Sequence, residues 1–138
     1  MRLVVVGLAV WSLTSCFVHV HVHEAPREPL APAVVGAWEV RGESENGEPW
    51  SARLVLDEQS GKGHFDWLSA KGASGRELVT WSFDDRTAML RLSGYEMLDP
   101  KGNIGVGTYE AELSDDGARL IRGTWGAPAL PGTWEATR

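Results

Sequence analysis

The chain has 138 residues and a net charge of −6, enough for one domain of ordinary size and too short for two. Its lysines and arginines are scattered singly, which argues against nucleic acid and anionic lipid surfaces as partners, since both need a basic patch. Sixteen glycines and seven tryptophans point to tight turns between strands around an aromatic interior.

The N-terminus has the layout of a secretory leader. Arg2 supplies a positive start, Leu3 to Val10 form an apolar run around one glycine, and Leu13-Thr14-Ser15-Cys16 follows. A basic start, an apolar stretch of roughly 7–15 residues and a small-residue cleavage site define such leaders. The run is too short to cross a bilayer, which takes about 20 apolar residues. Leu13-Thr14-Ser15-Cys16 resembles the lipobox of bacterial lipoproteins. That resemblance implies removal of residues 1–15 and makes Cys16 the first mature residue, carrying a diacylglycerol thioether and an N-acyl chain. The protein would then be held at a membrane of the cell envelope by its lipid. Lipoproteins retained at the inner membrane often carry aspartate after the cysteine. Phe17 in that position implies the outer membrane of a Gram-negative bacterium. Cys16 is the only cysteine, so none remains for a disulfide, a thiol nucleophile or a thiolate metal ligand.

Residues 16–34 read as a tether. Val18-His19-Val20-His21-Val22-His23 alternates strictly, and in an extended chain the three histidines share one face. His19, His21 and His23 are therefore a candidate Zn²⁺ or Cu²⁺ site, with Glu24 and His64 the further ligands by residue type. The alternative is an amphipathic segment near the membrane or an added edge strand. Pro26, Pro29 and Pro32 then favour polyproline II. At about 3.1 Å per residue, such a spacer holds the domain up to roughly 28 Å from its anchor.

From Val35 to Arg138 the period is two, with turn residues every eight to twelve positions. Trp38 and Val40 share a face, then Trp50, Ala52, Leu54 and Leu56, then Gly63, Phe65 and Trp67. Val79, Trp81 and Phe83 follow, then Ala88, Leu90 and Leu92, and a weaker segment covers Tyr95 to Leu98. Tyr109, Ala111 and Leu113 come next, then Ile121, Gly123 and Trp125, and finally Trp134 and Ala136. Asn46-Gly47, Ser60-Gly61, Lys101-Gly102-Asn103 and Asp115-Asp116-Gly117 supply hairpin turns. Short connections between consecutive strands predict an all-β, antiparallel up-and-down barrel of about eight strands.

Gly36-Ala37-Trp38 is echoed by Gly132-Thr133-Trp134, and neighbouring first and last strands in a closed meander would bring the two together. The Gly-x-Trp on the first strand resembles the calycin superfamily, the lipocalins and avidin-like barrels. The resemblance implies that Trp38 plugs one barrel end beneath an arginine, either Arg122 or Arg138, and Trp134 is expected to join that plug. Small barrel lipoproteins of the protease-inhibitor type also resemble this chain in size and in Trp-x-Phe and Leu-x-Leu patterning. They normally carry a disulfide that one cysteine cannot form.

No catalytic motif stands out. There is no Gly-x-Ser-x-Gly elbow, no His-Glu-x-x-His and no phosphate-cradling glycine loop, so a non-enzymatic role is expected. Trp50, Trp67, Trp81, Trp125 and Tyr109 are the candidate lining of a cup for a small apolar or amphipathic ligand. The competing expectation is a filled barrel, its tryptophans all core, serving as an envelope protein–protein interaction factor such as an inhibitor or assembly accessory.

Overall fold

The structure is a computed structural model that describes residues 32–69, 71–126 and 132–138. The lipobox, Cys16 and the histidine tether lie outside the described residues. Eight strands close into one antiparallel up-and-down barrel, each hydrogen-bonded to the next in sequence. They are β1 (Gly36–Ser44), β2 (Pro49–Leu56), β3 (Lys62–Ser69), β4 (Ser74–Asp84), β5 (Met89–Lys101), β6 (Thr108–Leu113), β7 (Arg119–Gly126) and β8 (Gly132–Thr137). Closure comes from β8 pairing back onto β1, with Val40 opposite Ala136 and Gly42 opposite Trp134. Closing the sheet removes the exposed edges that an open meander would leave.

The inner face follows the alternation in most strands. Trp38, Val40, Leu54, Leu56, Phe65, Val79, Leu90, Leu92, Ala111 and Ala136 are all buried in one core. Two expectations need correction. Tyr95 to Leu98 is not a separate strand but the second half of β5. The register with β4 slips between Leu78 and Val79, which pair with Glu96 and Gly94 and leave Tyr95 as the extra residue of a bulge. In β7 the inner residue is Leu120, fully buried, and not Ile121. Arg122 adopts a positive φ of 52° there, and the resulting bulge resets the alternation before Gly123.

One barrel end is closed by Trp38. Its ring is almost wholly buried, and its indole N–H donates to the Val34 carbonyl at 2.8 Å. The Arg138 guanidinium lies over the ring, 4.0 Å from its centroid, and donates to the carbonyls of Ala33 and Val35. Gly36 makes the entry into β1 at a φ of 115°, a conformation open only to glycine. Of the two arginines the sequence offers, Arg138 is thus the cover. Arg122 faces outward and pairs with Glu112, at 3.1 Å from Nε to Oε2. Trp134 is not part of the plug: it sits opposite Gly42 and Gly123, further along the barrel, and donates its N–H to the Thr124 carbonyl at 2.9 Å.

Candidate functional site

The opposite end of the barrel holds a cavity of about 550 Å³. It is bounded by Asn46 and Glu48 and by residues 71–73 and 102–106, and walled by Trp50, Trp67, Tyr109 and Trp125. These four aromatics are the first inward residues of their strands on that side. β2 and β6 leave this end while β3 and β7 arrive at it, so residues distant in sequence meet at one height. Trp50 and Trp67 lie 4.4 Å apart between ring centroids, and Trp125 meets Trp50 edge-on at 5.7 Å. Tyr109 stacks near-parallel to Trp125 at 6.5 Å. Phe65, fully buried, seals the floor beneath Trp67 and Tyr109, at 5.1 and 4.8 Å.

Four of the five expected cup residues therefore come together. Trp81 does not. Its indole N–H donates to the carbonyls of Asp57 and Lys62 beside the β2–β3 hairpin, at the plugged end. β4 starts at the cup end and runs away from it, so Trp81, near its far end, lies too far down to reach the cavity.

In place of Trp81, β4 contributes Glu77. This carboxylate is fully buried beneath the aromatic wall. It accepts hydrogen bonds from the Trp67 indole at 2.8 Å, the Tyr109 hydroxyl at 2.7 Å and the backbone N–H of Gly107 at 2.8 Å. Gly94 leaves the space it occupies, since a Cβ there would overlap the carboxylate. Burial pushes the Glu77 carboxyl above its ordinary value, and its three donors pull the other way. Burial, with the carboxylate beside it, drives the Tyr109 hydroxyl far up, so Tyr109 stays protonated and donates. Glu77 was missed because a lone charge on a strand reads as outward. It continues the inward series Val79, Trp81 and Phe83 by two residues, and that phase was the available signal.

The polar counterpart of Glu77 is Trp50. The indoles of Trp38, Trp67, Trp81, Trp125 and Trp134 each donate to an oxygen. Trp50 Nε1 is buried with no partner among the described residues. A buried donor left unsatisfied costs about 1–3 kcal/mol.

A broader depression of about 750 Å³ crosses the outer wall and is lined by outward side chains such as Arg41, Ser51, Thr124 and Glu135. Trp50 and Trp134 also line it, against the four aromatics that wall the cup. His64 is also on the outer wall, 3.7 Å from Asp66, and Asp66 takes two hydrogen bonds from Arg76 at 2.7 and 3.0 Å. Burial, followed by the Arg76 charge, holds the His64 imidazole below its ordinary value. Among the described residues no three His, Cys, Asp or Glu side chains are grouped to hold a metal ion. The same residues include no helix long and apolar enough to cross a membrane. No protein-family model matches the chain, and no curated protein is significantly similar to it.

Proposed function

We propose that the protein is a lipid-anchored binding module of the bacterial cell envelope, taking a small apolar or amphipathic ligand in the barrel cup. The observation that carries the binding role is the cavity walled by Trp50, Trp67, Tyr109 and Trp125. Pockets of this kind bind through apolar area and use a few placed polar groups for orientation. The anchoring role rests on Leu13-Thr14-Ser15-Cys16. Trp38 lies beneath Arg138, the arrangement that the calycin resemblance implies.

Two measurements test this reading. N-phenyl-1-naphthylamine, an apolar dye that brightens when sheltered from water, should bind the full chain. Trp125→Ala and Trp67→Ala should each weaken its binding at least tenfold, and Trp81→Ala should leave it unchanged. Absence of binding, or equal losses in all three variants, would remove the cup. For the anchor, Cys16→Ala should abolish acyl labelling and move the protein out of the membrane fraction; unchanged attachment would rule out lipidation.

A second reading has one observation in its favour. Leu68, Tyr95, Leu98 and Val106 are the exposed large apolar side chains among the described residues, and all four lie toward the cup end. A protein partner seated on that rim would cover them. Leu68→Glu with Tyr95→Glu should then disrupt an association in the native envelope while leaving dye binding intact.

A further inference from the structure

We propose that the cup selects a cation, specifically the alkylated ammonium headgroup of an amphipathic ligand; this rests on the binding role above and names its ligand class. Three observations converge. First, four aromatic rings converge on one cavity, and ring faces carry the negative end of the aromatic quadrupole. Alkylated ammonium groups are recognised by such surfaces, because their charge is spread over methyl groups that need no hydrogen bonds from the site.

Second, a carboxylate lies one hydrogen bond behind two of those rings. Glu77 takes the N–H of Trp67 and the hydroxyl of Tyr109, which raises the electron density of both rings toward the cavity. Among the described residues no lysine or arginine pairs with Glu77, so once it is ionised its charge is not neutralised locally. The carboxylate is fully buried, and the ligand would feel it through the rings rather than touch it.

Third, the cavity offers an anion nothing comparable. Lys71 is the one lysine or arginine in its lining among the described residues, and it is paired with Glu48 at 3.2 Å. A purely apolar ligand would fill the cup without using the charge of Glu77.

Choline and 3,3-dimethylbutan-1-ol separate the charge from the shape, since the second replaces the nitrogen by carbon and keeps the hydroxyl. Titrations of the full chain, followed by the indole N–H resonances of Trp50 and Trp67, should give choline at least a tenfold lower Kd. That ratio corresponds to about 1.4 kcal/mol. Glu77→Gln should abolish the preference. Should that variant fail to fold, Trp67→Phe keeps the ring but cuts its link to Glu77, and should narrow the ratio. Equal affinities, tighter binding of the alcohol, or no binding of either would overturn the proposal. In each of those cases the dye test still decides separately whether the cup binds apolar ligands.

Discussion

Trp38→Ala should cost the domain about 3–5 kcal/mol, the usual loss when a large buried aromatic is emptied. The total stability of such a domain is roughly 5–15 kcal/mol, so this one change brings it near the folding threshold. The reason is concentrated at one place. Trp38 fills the closed end of the barrel at 1% exposure, and its indole satisfies the Val34 carbonyl. Removing the ring leaves that carbonyl without its donor and the Arg138 guanidinium without the surface it covers. Trp125→Ala should cost far less, because Trp125 is half-buried at the cup and already partly solvated. Urea melts of the two variants should differ in midpoint while keeping similar slopes. Similar, modest losses in both would mean that Trp38 closes nothing. Arg138→Ala probes the cover alone, and an exposed cation–π contact contributes about 0.5–1 kcal/mol.

The contrast between Trp38 and Trp81 shows what period two can and cannot encode. Alternation assigns each residue to the inner or outer face, and it placed both tryptophans inward. Height along the barrel depends on where each strand begins and on how far the turns stagger the register, and neither is written in the alternation. Trp81 therefore sits at the plugged end although it shares a face with Glu77, and Trp134 lies beside Gly42 rather than Trp38. Bulges add a second source of error. Arg122 at positive φ shifts the inner position from Ile121 to Leu120, and nothing in the residue types around it marks the slip. The strand faces that contain no bulge, such as Trp50 to Leu56, follow the pattern throughout. Glu77 marks the third limit, because a charged residue in an inward phase conflicts with the apolar pattern. Such conflicts tend to fall at functional positions, where a local rule is broken and compensated elsewhere. Here the compensation is three donors, together with glycines that leave room at Gly94 and Gly107.

That compensation makes the stability of the barrel depend on pH. The Glu77 carboxyl is raised above its unfolded value of 4.5 by burial. Below pH 4.5 the group is protonated in both native and unfolded chains and contributes no pH dependence. As pH rises from there, the unfolded chain loses its proton first while the native barrel retains it. Stability therefore falls with pH across this window, and the full cost is present once the native carboxyl has ionised. Glu77→Gln cannot titrate, so it should gain ground on the wild type steadily as pH rises from about 4.5, then run parallel to it. The difference between the two curves is the informative quantity, because other groups act in opposite directions. His64, held low by burial, makes stability rise with pH over a window that ends near 6.5. Asp66, Glu112 and Asp116, held low by their hydrogen bonds, contribute stability that is lost in acid. All four lie outside the cup and cancel between the two proteins. Glu77→Ala should behave differently again. It strands the Trp67, Tyr109 and Gly107 donors at about 1–3 kcal/mol each, a loss present at every pH. Urea melts from pH 4 to 8 decide the matter: a constant gap between wild type and Glu77→Gln would mean that Glu77 titrates alike in the native and unfolded chains, its three donors fully offsetting the burial of its carboxylate.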